Sequence, residues 1–317
     1  MFALQRYGLA RAMDQGRPMV EARRARAYRP RRMTQSRQDP LVSAAWLAER
    51  LSAPDLVVLD ATMFLPGDPR DAKALYAERR IPGAVFFDID VHSDRASSLP
   101  HMLPPPEQFA SAMRKLGVGD GARIVVYDNQ GLFSAARVWW TFRVMGHEDV
   151  SVLDGGFPAW EAGGYPVETD MPAPRRERHF TARYRADLVR NLDDTRRALE
   201  NNEIVLDARP AARFKGEAPE PRVGLRGGHM PGARSVPASS LLTDKGLMRP
   251  TEELQRIFAD AGADPARPAV CSCGSGVTAA IIALALARLG RWDASIYDGS
   301  WSEWGGREDT PVATGPA

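Results

Sequence analysis

Cys273 opens the run Cys273-Gly274-Ser275-Gly276-Val277-Thr278, between a short apolar stretch at 268–272 and an apolar, helix-forming stretch from Ala279 to Leu289. A thiol at a strand-to-helix turn meets the helix N-terminus. Glycines at 274 and 276 allow a tight loop whose amide N–H groups converge near the sulfur. Such surroundings stabilise an anion and lower a thiol pKa from its usual value of about 8.5, turning a mostly protonated group into a nucleophile. A lone strand cysteine is more often an inert buried residue, but the Gly-x-Gly turn and the helix start argue against that here. Cys271 reads as a buried strand residue, with a redox-switch partner as the alternative.

Two other chemistries share this pattern. Gly274-Ser275-Gly276-Val277-Thr278-Ala279 matches a dinucleotide fingerprint, with Asp298 near the spacing of its ribose-binding acid. That fold needs a long sheet after the motif, and only 38 residues follow Ala279. A cysteine phosphatase also places its thiol in an anion-cradling loop, but it needs an arginine six positions later, where Ala279 stands. The loop holds no cation. The candidate source of positive charge lies upstream, in Asp207-Ala208-Arg209-Pro210-Ala211-Ala212-Arg213-Phe214-Lys215-Gly216 and Glu217-Ala218-Pro219-Glu220-Pro221-Arg222. Read as a proline-punctuated loop after a strand, it lets Arg213 and Arg222 reach the same mouth, where guanidinium groups bind a carboxylate bidentately. The alternative for each is a solvated loop arginine.

The elements that must position these groups come in two copies. Leu59-Asp60-Ala61 returns as Leu206-Asp207-Ala208, Ile81-Pro82-Gly83-Ala84 as Met230-Pro231-Gly232-Ala233, and Asp154-Gly155-Gly156 with Trp160 as Asp298-Gly299-Ser300 with Trp304. In the first copy the pattern predicts strands over Leu56 to Asp60, Ala84 to Phe87, Ile124 to Tyr127 and Val150 to Leu153. Helices are expected over Ser43 to Leu51, Pro106 to Leu116 and Phe133 to Met145. The second predicts strands over Ile204 to Asp207, Ala233 to Val236, Ala269 to Ser272 and Ser295 to Tyr297, with helices over Thr251 to Ala261 and Thr278 to Leu289. Short apolar strands alternating with helices imply an α/β fold: two domains, each a mainly parallel sheet covered by helices on both faces. The expected divisions are a basic extension at 1–37, a first domain at 38–165, a linker at 166–187 rich in Pro and charge, and a second domain at 188–317. Ligands of parallel sheets lie beyond the carboxyl ends of the strands, where the Cys273 loop falls. Counting back by the repeat offset gives Asn129 at the corresponding place, so the first domain lacks the nucleophile and serves as scaffold and cleft wall.

The second copy's loop, together with the flanking runs, resembles the 3-mercaptopyruvate sulfurtransferases, a family of tandem rhodanese-domain proteins. The resemblance covers roughly residues 40–308. Its most specific element is the Cys273–Thr278 loop, because thiosulfate sulfurtransferases typically follow their cysteine with Arg-Lys-Gly-Val-Thr. Also similar are Phe87-Asp88-Ile89-Asp90, His101-Met102-Leu103-Pro104, Arg213-Phe214-Lys215-Gly216, Pro219-Glu220-Pro221-Arg222 and Tyr297-Asp298-Gly299-Ser300-Trp301. The resemblance implies a persulfide on Cys273, a substrate-carboxylate clamp of Arg213 and Arg222, and substrate contacts from Gly274, Gly276, Val277 and Thr278. It further implies a proton-handling triad of Asp90, His101 and Ser275. On the residues alone, Asp90 and His101 are equally readable as surface residues of a long loop. Arg80 stands in Glu78-Arg79-Arg80-Ile81-Pro82 where the family has His, and it reads as a neutral surface change. The N-terminal extension has no counterpart in the family's core.

Composition sets the outer limits. At 44% hydrophobic and 26% charged, the chain is of soluble globular type, with no apolar run near the ~20 residues of a membrane span. Residues 1–37 hold ten Arg and no Lys against Asp14 and Glu21, so the net charge of +2 belongs to the extension and the remainder is acidic. No nucleic-acid or membrane partner is expected. Two cysteines in i, i+2 spacing and five scattered histidines suit neither a disulfide framework nor a metal site, so a reducing compartment and no metal or cofactor are expected. The localisation read from this is cytoplasmic, or mitochondrial if residues 1–32 act as a transit peptide; a start at Met33 is the competing reading. The function implied is transfer of sulfur from 3-mercaptopyruvate to cyanide or to a thiol such as thioredoxin. Thiosulfate as donor, and a non-catalytic persulfide carrier, are the alternatives.

Overall fold

Short runs such as Leu-Val-Val-Leu-Asp and Ile-Val-Leu-Asp have no polar face, so they are stable only where both sides of a sheet are covered. In the computed structural model, which describes residues 39–316, they form two five-stranded sheets in which every ladder is parallel. The first comprises β1 (Leu41–Val42), β2 (Leu56–Asp60), β3 (Val85–Phe86), β4 (Arg123–Tyr127) and β5 (Val150–Leu153), in the order β1-β5-β4-β2-β3. The second comprises β6 (Val189–Arg190), β7 (Ile204–Asp207), β8 (Arg234–Ser235), β9 (Ala269–Ser272) and β10 (Ser295–Tyr297), in the corresponding order β6-β10-β9-β7-β8. Helices α1 (Ala44–Ala48), α2 (Ala72–Glu78), α3 (Pro106–Lys115), α4 (Ala135–Val144) and α5 (Gly156–Ala162) cover the first sheet. Helices α6 (Leu192–Glu200), α7 (Ala211–Lys215), α8 (Thr251–Asp260), α9 (Ala279–Arg288) and α10 (Ser300–Trp304) cover the second.

The expected strands and the helices expected over 106–116, 133–145, 251–261 and 278–289 lie where the pattern puts them, to within two residues at their ends, whereas the helix expected over Ser43 to Leu51 is the shorter Ala44–Ala48. The two-residue edge strands β1 and β6 and the short helices α2, α5, α7 and α10 escape a periodicity reading, because one or two turns carry too few apolar repeats to register; the nine-residue α6 escapes it because its only large apolar residues are Leu192 and Leu199. Arg213 therefore sits on α7 rather than in an open loop. Helices α4 and α9 are buried on every side, since each lies between its own sheet and the other domain, and they pack on one another within a single apolar core spanning both domains. Arg143 of α4 reinforces this seam: its guanidinium lies over Trp139 and Trp292 and donates to the Trp292 carbonyl at 2.6 Å.

The two domains also clasp each other reciprocally. Asp298, after β10, accepts the Leu103 amide of the first domain at 2.8 Å, and Asp154, after β5, accepts the Met248 amide of the second at 2.8 Å. This symmetry makes His101, two residues before Leu103, the counterpart of Gly246, two before Met248. Both have left-handed backbone, with φ +60° and +73°.

Two expectations need correction. Arg80 is not a surface residue: it is fully buried, donates to the Tyr76 carbonyl, to Glu168 at 2.9 Å and to the Asp170 carbonyl, and bridges to the 166–187 segment. Its second-copy counterpart, His229, stacks on Phe214 at 3.8 Å and forms the same kind of bridge to Ala313, so the guanidinium replaces an internal anchor. The segment 166–187 is bound along the first domain, with Phe180 inserted among Phe109, Phe142 and His147. The second correction concerns the residue matching Cys273. Asp60 pairs with Tyr127 as Asp207 pairs with Ser272, and the Phe157 amide donates to the Asp128 carbonyl as the Trp301 amide does to that of Cys273. The counterpart is therefore Asp128, not Asn129. The first domain's loop is one residue longer, which a constant offset hides. The readings made on residues 1–37, including the transit peptide and the Met33 start, lie outside the described residues.

The copies differ at one buried charge. Asp207 is neutralised by Arg209, whereas the matching position beside Asp60 is the neutral Thr62, and among the described residues no cation pairs with Asp60. Burial pushes the Asp60 carboxyl up to about 6, against the two hydrogen bonds from Thr62. A raised carboxylate stabilises the fold fully below its unfolded value of about 3.8 and loses that contribution as pH rises through about 6. Asp60→Asn is thus expected to raise unfolding free energy by about 3 kcal/mol at pH 7.5 and by much less at pH 4.5, measured by urea denaturation. Asp207→Asn, which leaves the buried Arg209 with Glu220 alone as a charged partner, shared with Arg213, should destabilise at both.

Candidate active site

Strand β9 ends at Ser272, and the next six residues turn into α9, placing Cys273 at the carboxyl edge of the second sheet. The loop is held from outside. The Cys273 carbonyl accepts from the Trp301 amide at 2.9 Å, the Gly274 carbonyl from the Ser302 amide and hydroxyl at 2.8 and 2.7 Å, and the Gly276 carbonyl from Arg137 at 3.2 Å. A trans peptide points each following N–H the opposite way. Among the described residues, the amides of 274–279 have no acceptor, the resting Cys273 sulfur included. Gly276 has φ +77°, and a Cβ there would lie 2.8 Å from the Arg137 guanidinium and 3.0 Å from the Asp298 carbonyl, so only glycine fits.

The first domain shows what such a ring of amides holds. Asp128, at the nucleophile's position, accepts from the amides of Gln130, Phe133, Ser134 and Ala135 at 2.8 to 2.9 Å. Burial nevertheless pushes its carboxyl above the ordinary range. The second domain's loop, one residue shorter and with Cys273 in place of Asp128, leaves its amides open.

Cys273 is 2% exposed, at the floor of a cavity of about 310 Å³. Gly274, Ser275, Val277, Thr278, Arg213 and Arg222 share its lining, and the first domain contributes Leu65, Gln130, Leu132 and Phe133. Gly276 lies behind, against Arg137. The two arginines are unequal. Arg213 donates through Nε and Nη2 to Glu220, and its Nη2 lies 3.3 Å from where a Gly274 side chain would begin. Among the described residues, the Arg222 guanidinium has no hydrogen-bond or ion-pair partner. Burial and the neighbouring Arg213 push its pKa down, while Cys273 and Asp90 pull it up.

Ser275 meets its two distant partners. His101 Nδ1 lies 2.9 Å from Ser275 Oγ, and His101 Nε2 lies 3.2 Å from Asp90 Oδ1. The hydrogen bond from His101 holds the Asp90 carboxyl below the ordinary range, so it is an acceptor. That assigns the proton to Nε2 and leaves Nδ1 to accept from the Ser275 hydroxyl. Asp90 is solvent-facing while His101 is nearly enclosed, so the chain runs from water to the cavity. All four residues expected at the chemical centre, Cys273, Ser275, His101 and Asp90, are brought together, as are both arginines.

Sequence reasoning missed the residues that hold these in place. Glu220 bridges Arg213 and the buried Arg209, which itself pairs with Asp207 and lies 4.1 Å over Trp301. Ser300 accepts the Cys273 amide at 3.2 Å from a left-handed backbone at φ +48°, where the first copy has Gly156. Arg137 pairs with Asp298 at 2.7 Å between domains. The one available signal was Arg137 itself, a charge inside an apolar helical stretch, which demands a buried partner. Cys271 is fully buried, and burial followed by the nearby Cys273 pushes its thiol far up, which fits the structural reading of that residue. Among the described residues no cluster of His, Cys, Asp or Glu could hold a metal ion, and no helix is long and apolar enough to cross a membrane.

Fold and site together define a tandem α/β protein in which one copy retains a cysteine in an anion-cradling loop. The Rhodanese-like domain profile matches residues 43–163 and 191–307, and the chain belongs to the rhodanese family of tandem-domain sulfurtransferases. It is 46% identical over 276 residues to the 3-mercaptopyruvate sulfurtransferase of Escherichia coli K12, covering 86% of this chain and 96% of that one. It is 42% identical over 298 residues to the mitochondrial thiosulfate/3-mercaptopyruvate sulfurtransferase 1 of Arabidopsis thaliana, covering 87% and 79%. The crystal structure of Escherichia coli SseA, described as a 3-mercaptopyruvate sulfurtransferase with the rhodanese fold, superposes with a TM-score of 0.76 at 44% identity, covering 82% and 98%.

If the loop is an anion cradle, a carboxylate at 273 should be accepted as it is at 128. Cys273→Asp is expected to abolish sulfur transfer while keeping the melting temperature within a few degrees of the parent. A loss of 10 °C or more would show that the loop does not receive an anion.

Proposed function

We propose that the protein transfers sulfur from 3-mercaptopyruvate to a thiol or to cyanide through a persulfide on Cys273, releasing pyruvate. The observation that carries this reading is that Cys273, Ser275, Arg213 and the unpaired Arg222 line one cavity, with the cations outside a neutral loop. A donor carboxylate anchored on Arg222 and Arg213 directs its C3 sulfur toward Cys273. The Cys273 thiolate attacks that sulfur: an S–S bond forms, the C3–S bond breaks, and the electron pair stays on carbon as the enolate of pyruvate. The donor's own S–H proton is taken up and returned to C3 by Ser275, with His101 and Asp90 behind it, so no outside proton is needed. The terminal persulfide sulfur carries negative charge into the open amides of 274–279, which lowers the barrier as an oxyanion hole does. An acceptor thiol, with thioredoxin the protein candidate, or cyanide then removes that sulfur. The compartment that fits free Cys273 is a reducing one, the cytoplasm, or mitochondria if residues 1–32 direct it there.

Incubation with 3-mercaptopyruvate alone should add one sulfur atom to the protein by mass spectrometry, and Cys273→Ser should add none. Arg213→Ala and Arg222→Ala are each expected to raise KM for 3-mercaptopyruvate by about 10- to 100-fold, the worth of a charge-assisted hydrogen bond, and to affect thiosulfate less. Equal effects on both donors would sink the carboxylate clamp. A kcat/KM larger for thiosulfate would make it the physiological donor. Failure to turn over either, with persulfide accepted from a desulfurase, would make the protein a carrier.

A further inference from the structure

Arg137 belongs to the domain without the nucleophile, yet three strands of the site's architecture end on it. Its Nη1 donates to the Gly276 carbonyl at 3.2 Å, its Nη2 donates to the His101 carbonyl, and the same nitrogen lies 2.7 Å from Asp298 Oδ1. Its guanidinium packs 4.6 Å over Trp140 and is almost entirely enclosed. Asp298 completes the ring by accepting the Leu103 amide. One planar fork thus grips the backbone of the loop bearing His101 and of the loop bearing Ser275, which come from different domains.

The internal repeat shows that this grip is specific to the working side. At the pseudo-equivalent contact the left-handed residue is Gly246, which adopts φ +73° without strain, and its neighbour across the interface is Gly131. On the active side that left-handed position holds His101, a residue for which φ +60° is costly and persists only where the surroundings impose it. Counted forward from the helix start, Arg137 answers to Ile281 of α9, which makes no such contact. The arginine is therefore present where a histidine must be held against its backbone preference.

We propose that Arg137 is a positioning residue for proton transfer, setting the His101 to Ser275 contact by holding both backbones. The proposal rests on the reading of Asp90, His101 and Ser275 as the proton path. Lysine keeps the charge opposite Asp298 but has no fork to span the two carbonyls, so Arg137→Lys separates positioning from charge balance.

The test compares Arg137→Lys, His101→Gln and the parent enzyme in single-turnover persulfide formation. Transfer from 3-mercaptopyruvate requires a proton at carbon; transfer from thiosulfate, which releases sulfite, does not. Arg137→Lys is expected to lower kcat for 3-mercaptopyruvate by about 10- to 100-fold, the cost of an ångström-scale misplacement, with KM changed less than about 3-fold. It should also raise the solvent deuterium isotope effect on that step and leave the thiosulfate rate within about 3-fold of the parent. The isotope effect reads out even if thiosulfate turns over slowly. If His101→Gln shows this donor selectivity and Arg137→Lys slows both donors alike, or neither, with no change in isotope effect, the positioning role is overturned. If His101→Gln itself is indifferent to the donor, the proton path fails and this proposal with it. Should Arg137→Lys fold poorly by circular dichroism, the neutral pair Arg137→Met with Asp298→Asn, which removes the fork without stranding a charge, carries the same comparison.

Discussion

The buried ion pair between Arg137 and Asp298 is the constraint on which the site depends. Each charge would be expensive to enclose alone, and each meets its opposite charge only across the domain interface, so the pair forms only when the two domains are docked in one arrangement. The apolar seam of α4 on α9 supplies the attraction, but a hydrophobic face tolerates sliding, whereas a fork shared among Gly276, His101 and Asp298 does not. Docking thereby becomes a condition for the contact between His101 and Ser275, which meet only across that seam.

The two copies have kept one scaffold and divided its uses. In the first, Asp128 fills the ring of amides at the turn into α4, and the loop is closed on its own carboxylate. In the second, Cys273 stands there and the ring is open to the cavity. The difference is the side chain at a position defined by strand pairing, together with one residue of loop length. The same trade appears at the end of β2 and β7, where Asp60 lacks the arginine that Asp207 has, and the copy without chemistry carries the unbalanced charge.

Most of the charge near the mouth is neutralised within the protein. Arg209 and Asp207 cancel in the interior, and Glu220 fastens Arg213 to that pair, giving the guanidinium a fixed direction at the cost of much of its field. Arg222 stays unpaired, half-buried and near Asp90 and Cys273, so it supplies the uncompensated positive charge. A donor with one carboxylate fits that balance, and a loop without cations leaves the sulfur end of the cavity to backbone amides.

The sequence by itself determined the repeat, the parallel α/β class, the strands and the Cys273 loop, because periodicity and the needs of a tight turn are local and are written in short runs; Asp90, His101 and Ser275 are marked as a set by family resemblance, not by any local pattern. It misjudged Arg80 and the counterpart of Cys273, since burial of a charged side chain and a one-residue difference in loop length have no local mark. It placed Arg213 in a loop because a five-residue helix is too short to show a period. What only the tertiary structure decided is which separated residues meet: Asp90 and His101 with Ser275, Arg137 with Asp298, Glu220 between two arginines. Those contacts follow from the docking of two domains and from the neutralisation of buried charge, and both are properties of the assembled interior rather than of any stretch of chain.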